Sequence, residues 1–355
     1  MMRDFAIGAL STQAMDACQL RIDNLTKPIY SLAQLEKIAA RMAGIFNVEQ
    51  PNHVKNGVII FAGDTAVNGR QNLTGGKESL AVMKRLATGK SATHAVAAKL
   101  SAPVYLVDVG MEADTSSIDG IVTAKVKAGS DFFGMSPAMT AEETEAAIEV
   151  GAVWADRMHS EGIQVVAVGN VGERALLSAL AVTAAVTEYP VRRLVVNNEC
   201  TLTSDEKVER LMATLQRYSL SPEKPLQILA SVGSPDIAAL TGFILQAAAH
   251  RMAIVFDNAV TGAAVLVASL LRKGVTDYVF QSAAYDDPVH QGQMKYLGIK
   301  PYLFYHFTIE EGLGSAMGLS VVDASLHMLN DMKTFGEATV TVAEDGPGNK
   351  RQDGR

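Results

Sequence analysis

Short apolar runs alternate along the chain with longer stretches of helical pattern. The runs are Val58-Ile59-Ile60-Phe61, Val104-Tyr105-Leu106-Val107, Val165-Val166-Ala167-Val168, Leu194-Val195-Val196, Leu226-Gln227-Ile228-Leu229 and Ala253-Ile254-Val255-Phe256, joined by a shorter candidate, Tyr278-Val279-Phe280. Continuous rather than alternating apolarity predicts strands covered on both faces, and helical crossovers between them predict a parallel sheet. The fold class is therefore α/β. The two ends of the chain read differently. Ser31-Leu32-Ala33-Gln34 has the form of a capping box ahead of Leu35, Ile38, Ala39 and Met42, which fall on one face of an amphipathic helix. A second helix is expected after Thr308, with Met317, Val321, Ala324 and Met328 on one face. Helices from residues 1–50 and 301–335 are expected to pack as a smaller domain beside an α/β domain of residues 51–300, with 336–355 as a polar tail.

The residues after each run carry more information, because ligands of open parallel sheets bind outside the carboxyl ends of the strands. Those ends read Gly63-Asp64, Asp108-Val109-Gly110, Gly169-Asn170-Val171-Gly172, Asn197-Asn198-Glu199, Ser231-Val232-Gly233 and Asp257-Asn258. Small and polar residues thus gather at one rim. The same residues also serve as turn formers at strand–helix junctions, and either role accounts for any one of them.

Charge narrows the class of partner. With 31 Lys and Arg against 38 Asp and Glu, a net charge of −7 and one Trp, the chain has no basic run to follow a nucleic-acid backbone or an anionic lipid surface. Cys18 and Cys200 are too far apart in sequence to form a zinc site by themselves and too few for an extracellular disulfide framework, so a reducing compartment is expected. No uncharged apolar stretch approaches the ~18 residues that span a bilayer, and the N-terminus carries Asp4 and Asp16, so the expectation is a cytoplasmic protein. Small-molecule chemistry or protein contacts remain.

Common catalytic motifs do not occur. There is no G-x-x-x-x-G-K-[ST], no G-x-G-x-x-G between a strand and a helix, no G-x-S-x-G and no H-E-x-x-H, and the histidines are scattered. Glu311 stands out in Thr308-Ile309-Glu310-Glu311-Gly312-Leu313-Gly314-Ser315, where a carboxylate pair meets a glycine-rich helix start. It reads either as a capping-box residue bonded to the backbone of Thr308 or as a general base beside glycines that let a substrate approach the backbone.

Several blocks in order resemble the nicotinate mononucleotide:5,6-dimethylbenzimidazole phosphoribosyltransferases, which make the lower-ligand nucleotide of cobamides. They are Ile22-Asp23-Asn24-Leu25-Thr26-Lys27-Pro28 with Ser31-Leu32 and Leu35-Glu36; Tyr105–Gly110; Gly134-Met135-Ser136-Pro137-Ala138-Met139-Thr140; Val232-Gly233 with Asp236-Ile237 and Thr241-Gly242; Ile254–Asp257; and Pro301-Tyr302-Leu303 with Glu311-Gly312-x-Gly314. The resemblance runs from Ile22 to about Met332. It implies a Rossmann-like domain on a mostly parallel sheet, a small helical domain from both termini, a dimer, and Glu311 as base. It also implies a nucleotide and phosphate site at Gly169, Asn170, Gly172, Lys207, Asp257, Gly312 and Gly314, with Lys207 on the 5′-phosphate. Read without the family, Asp257 is a helix cap and Lys207 a solvated helix-face residue. Asp64, Thr74, Val82 and Ser282 correspond to the aromatic acceptor pocket. No metal and no cofactor are implied.

Departures from the family pattern are equally specific. Gly169-Asn170-Val171-Gly172-Glu173-Arg174-Ala175-Leu176 stands where the family has G-E-x-G-x-x-N-T, Asp64-Thr65-Ala66-Val67 where it has Asp-His-Gly-Val, and Ser282-Ala283 where it has Ser-His. Val82 removes a side-chain hydrogen bond to an azole. Two readings explain the drift. The chain transfers phosphoribose from nicotinate mononucleotide to another acceptor, such as a phenol, as in the family's heteromeric phenol-activating branch; or it is a weak or inactive structural or regulatory subunit beside an active homologue. The partners expected are nicotinate mononucleotide, an aromatic acceptor, and a second subunit as homodimer or heterodimer.

Overall fold

A computed structural model describes residues 3–66, 75–131, 134–195, 205–304, 309 and 311–339, with the side chains of residues 205–207 excepted. Among the described residues, six strands form one sheet: β1 (Asn56–Gly63), β2 (Val104–Gly110), β3 (Ile121–Thr123), β4 (Val165–Val171), β5 (Ala253–Phe256) and β6 (Val279–Gln281). Their order is β3-β2-β1-β4-β5-β6, and every pairing is parallel. This is the doubly wound arrangement, whose strand order reverses between β1 and β4 and leaves a crevice beyond their carboxyl ends. Every residue of β1 and β4 is buried, as the continuous apolar runs predict.

Two expected strands are helices instead. Leu226–Leu229 lies in the Pro225–Val232 helix, where Pro225 takes the first helical position and needs no backbone donor. Leu194 and Val195 end the Val191–Val195 helix, and Val196 lies outside the described residues. A four-residue apolar run has the same pattern on a buried helix as on a buried strand. The edge strand β3 was not expected: it is three residues long and only partly covered, so it leaves almost no apolar signal.

The helix Gln34–Phe46 forms as predicted, but not through a Ser31 capping box. Ala33 precedes it at φ 45° and no side chain caps it. Glu36 takes over part of that role: its carboxylate accepts the Leu32 N–H at 3.0 Å and pairs with the Lys27 ammonium at 2.9 Å, with both side chains at most 5 % exposed. Breaking a buried pair leaves an uncompensated charge, which costs about 3–5 kcal/mol. Lys27→Met is expected to lose that much in a denaturant titration, and Lys27→Met combined with Glu36→Leu to recover most of it.

The Leu313–Asp331 helix is rotated from the expected face. Ala316, Leu319, Val322, Leu326 and Leu329 are buried, whereas Ala324 is exposed and Met317 and Val321 are half-buried. Gly318 sets this rotation, since a Cβ there would lie 2.5 Å from the Ser282 Cβ and 2.7 Å from a Val255 methyl. The helix therefore rests directly on β5. Its far end, Met328 and Leu329, joins Cys18, Ile22, Leu25, Ala39 and Ala43 in a second apolar cluster. Antiparallel bridging of Leu25 with Thr334 ties the two chain ends together. Burial pushes the Cys18 thiol up to about 12, so it is not a nucleophile at neutral pH. Cys200 lies outside the described residues. Among the described residues, no helix is long and apolar enough to cross a membrane.

Candidate active site

A cavity of about 370 Å³ opens beside the carboxyl end of β4, at the switch point of the sheet. Glu78, Ser79, Val82, Asn170, Val171, Gly172, Glu173, Arg174, Ile309 and Glu311 line it. Close backbone contacts fix this wall. A Cβ on Gly172 would lie 1.9 Å from the Gly63 carbonyl oxygen, so the ends of β1 and β4 meet only because the residue is glycine. Gly169 makes a similar contact one strand-turn earlier: its Cβ would lie 2.6 Å from Cα and 2.7 Å from N of Gly312.

Glu311 thus sits where the turn before the Leu313–Asp331 helix presses on β4. Gly312 takes φ 72°, in the left-handed region that glycine adopts without strain. Thr93 Oγ1 donates to the Glu311 carbonyl at 2.9 Å, and Ser315 Oγ donates to the Val168 carbonyl at 2.7 Å. The Glu311 carboxylate is 13 % exposed, lines the cavity and pairs with the guanidinium of Arg85 from the Lys77–Ala87 helix. The helix begins at Leu313 with Gly312 as its cap residue, while Thr308, the partner in the capping-box reading, lies outside the described residues.

Of the residues expected to touch nucleotide, Asn170 and Gly172 line the cavity. Asn170 Oδ1 accepts from Asn258 Nδ2 at 3.1 Å. Asp257 and Gly314 lie beneath the wall: Asp257 is fully buried, and its Oδ2 accepts the Ser315 N–H at 3.2 Å at the start of the Leu313–Asp331 helix. A Cβ on Gly314 would lie 2.9 Å from that same oxygen. Both residues therefore brace the Glu311 turn, and a negative charge at a helix N-terminus is favourable there. Lys207 is in the Asp205–Arg217 helix, its side chain outside the described residues.

The expected acceptor residues divide. Val82 lines the cavity. Asp64 does not line it: it is buried, and its Oδ1 and Oδ2 accept the N–H groups of Glu173 at 2.9 Å and Glu112 at 2.8 Å. Burial pushes its carboxyl above the usual range against the opposing effect of these bonds. Asp64 is thus a staple between the loops after β1, β2 and β4. Ser282 is also buried away from the cavity, its Oγ donating to the Phe256 carbonyl at 3.1 Å. Thr74 lies outside the described residues.

Glu173, Arg174 and Arg85 also shape the site, although none was among the expected site residues. Glu173 Oε1 accepts the Glu78 N–H at 3.0 Å, joining the loop after β4 to the Lys77–Ala87 helix. Arg174, at φ 59°, is the cap residue of the Ala175–Thr187 helix and brings a cation to the cavity at a helix N-terminus. Arg85 and Glu311 are 226 positions apart, and only the fold brings them together. Among the described residues, the His, Cys, Asp and Glu side chains close enough to share an ion are His53, His327 and Asp331, none of them in this cavity.

Behind the wall, Asp236 is fully buried, its Oδ1 accepting from Ser234 Oγ at 2.5 Å. Burial pushes its carboxyl up to about 7, with the nearby Asp64 adding to the shift. A carboxyl raised in the folded state holds its proton there after the unfolded chain has released it, so its stabilising effect is complete below about pH 4 and declines as pH rises towards 7. The decline is at most about 1.4 kcal/mol per pH unit. Asp236→Asn is expected to flatten it, which denaturant midpoints at pH 5, 6 and 7 for both proteins would test; parallel curves would rule the assignment out.

The chain matches the family model described as DBI_PRT, phosphoribosyltransferase, over residues 7–340. It is 34% identical over 328 residues to the nicotinate-nucleotide–dimethylbenzimidazole phosphoribosyltransferase of Geobacter sp. strain M21, covering 91% of this chain and 93% of that one. To the enzyme of the same name from Chloroflexus aggregans it is 33% identical over 345 residues, with 96% and 97% covered. The crystal structure of the Thermus thermophilus enzyme of that name superimposes with a TM-score of 0.84 at 27% identity, covering 94% of this chain and 100% of that chain. Sequence blocks, sheet order and these likenesses agree, and the chain belongs to the nicotinate-nucleotide–dimethylbenzimidazole phosphoribosyltransferase family.

Proposed function

We propose that the cavity transfers a 5-phosphoribosyl group from nicotinate mononucleotide to an aromatic acceptor, with Glu311 as general base. The observation that carries this reading is the Glu311 carboxylate lining the switch-point cavity on a turn braced by Gly169, Thr93 and Ser315. The bond from the anomeric carbon to the pyridinium nitrogen breaks with its electron pair going to the ring, which leaves uncharged at that nitrogen. A bond forms to the acceptor N or O, and its proton passes to Glu311. The carboxylate also favours the cationic sugar that develops as the old bond lengthens. The 5′-phosphate is assigned to Gly172, Arg174 and the N-terminus of the Ala175–Thr187 helix, where backbone N–H groups and a guanidinium suit an anion. Lys207 is a further candidate for the same phosphate.

Val82 supports an acceptor of phenol type, because an apolar wall leaves no buried donor unpaired when the acceptor lacks a ring nitrogen. A phenol of pKa about 10 is scarcely ionised at neutral pH, so it depends on a base more than an azole does. A second reading, a subunit with weak or no turnover beside a homologous partner, is favoured by the Arg85–Glu311 pair, which occupies the base. Nicotinate release from nicotinate mononucleotide separates the two, measured with phenol or dimethylbenzimidazole and with the chain alone or mixed with a homologous subunit. Release by the chain alone supports transfer here. No release in any mixture overturns it.

A further inference from the structure

We propose that His53, His327 and Asp331 form a binding site for one divalent transition-metal ion of the zinc type, supported from outside by Asp323. One donor atom from each of the three residues lies within 4.8 Å of the others. His327 Nδ1 is 2.6 Å from an Asp331 oxygen, and His53 Nε2 is 4.0 Å from the other oxygen of the same carboxylate. The two imidazoles are stacked side by side, their centroids 4.2 Å apart and their planes tilted by 36°. Two nitrogens and a carboxylate are the donor set that a borderline ion such as Zn²⁺ takes, and three protein ligands leave a fourth position open.

The fourth residue fits the role of an outer partner. Asp323 lies one helical turn before His327, and its Oδ2 is 3.6 Å from His327 Nε2, the ring nitrogen facing away from Asp331. A ligating histidine commonly donates its second N–H to a carboxylate, which fixes the tautomer and the ring direction. The spacing Asp323, His327, Asp331 places all three on one face of the Leu313–Asp331 helix.

His53 comes from a separate segment, held in place by a polar clamp. Asn330 donates to the Pro51 carbonyl at 2.9 Å and accepts from Gln50 Nε2 at 3.0 Å, so residues 50 and 51 are fastened to the helix that carries the other ligands. Donors about 2.0–2.2 Å from one tetrahedral ion lie roughly 3.3 Å from each other, so the 2.6 Å hydrogen bond between His327 and Asp331 must open while His53 closes in. The side chains of His53, His327 and Asp331 are 48 %, 49 % and 61 % exposed, and they have room to do so by rotation alone. A bound ion would join the lead-in to β1 to the last long helix, at a place separate from the cavity that holds Glu311.

The test is calorimetric titration of the chelator-stripped full-length protein with Zn²⁺, repeated with Co²⁺ followed by its visible absorption. The expected result is one ion per chain and a Co²⁺ band that saturates at the same equivalence. His53→Ala and His327→Ala are each expected to weaken binding at least tenfold, and Asp323→Asn by about tenfold through loss of the outer partner. These positions are exposed, so an unchanged melting temperature of the metal-free variants separates lost ligation from lost folding. No binding by the parent protein, or binding that either histidine variant leaves within threefold, overturns the site.

Discussion

Glu311→Gln is expected to lower turnover by about 10²–10⁴-fold, the range that a positioned general base contributes. The substitution keeps the size of the side chain and removes its capacity to take a proton. Because Gln still accepts a hydrogen bond from Arg85, the wall of the cavity should survive and the effect should fall on the chemical step. The measurement is nicotinate release under saturating nicotinate mononucleotide and acceptor, beside circular dichroism to show that the fold is intact. A rate within threefold of the parent would remove Glu311 from the mechanism of this subunit. The same variant in a mixture with a homologous subunit decides which of the two chains carries the base, since full activity of that mixture would assign it to the partner.

The frame of the molecule was readable because its signals are local or periodic. Five runs that form strands β1, β2, β4, β5 and β6 are continuous and apolar, and burial on both faces is their physical cause. Of the two runs that are helices, Leu226–Leu229 is interrupted by Gln227 and follows Pro225 at the first helical position, whereas the run at Leu194 ends a five-residue helix and has no local feature that separates it from a strand. Within the site, Glu311 stood out as a carboxylate beside glycines at a helix start, and Gly169 and Gly172 as glycines at the carboxyl end of a strand, where backbone approaches its neighbours closely. Asp64 and Ser282 matched family positions, but burial gave them backbone hydrogen bonds instead of a place on the cavity. Arg85, Glu173 and Arg174 could not be found this way. Glu173 and Arg174 follow a marked strand end but their contacts, like that of Arg85, depend on which helix ends the topology brings to the switch point.

Gly169→Ala tests the link between the sheet and the base, and is expected to lower turnover by about a hundredfold while the sheet still forms. The added Cβ would lie 2.6 Å from Cα and 2.7 Å from N of Gly312, and 3.3 Å from the carbonyl carbon of Glu311. All three are backbone atoms, so no side chain can swing aside to make room. Strand β4 cannot yield easily either, since it is paired with β1 on one side, Ile60 opposite Gly169, and with β5 on the other. The turn must therefore retreat and take the Glu311 carboxylate with it. A shift of about 1 Å in a catalytic group costs on the order of 10²-fold in rate. Gly336→Ala is the matched control: a Cβ there meets nothing within 4 Å, its φ is not positive, and its rate should be unchanged. If Gly169→Ala kept the parent rate, the carboxylate would not owe its place to β4, and the contact between strand and turn would be packing alone. A large fall in turnover with KM for nicotinate mononucleotide little changed would instead mark Gly169 as the residue through which the sheet holds the base at working distance.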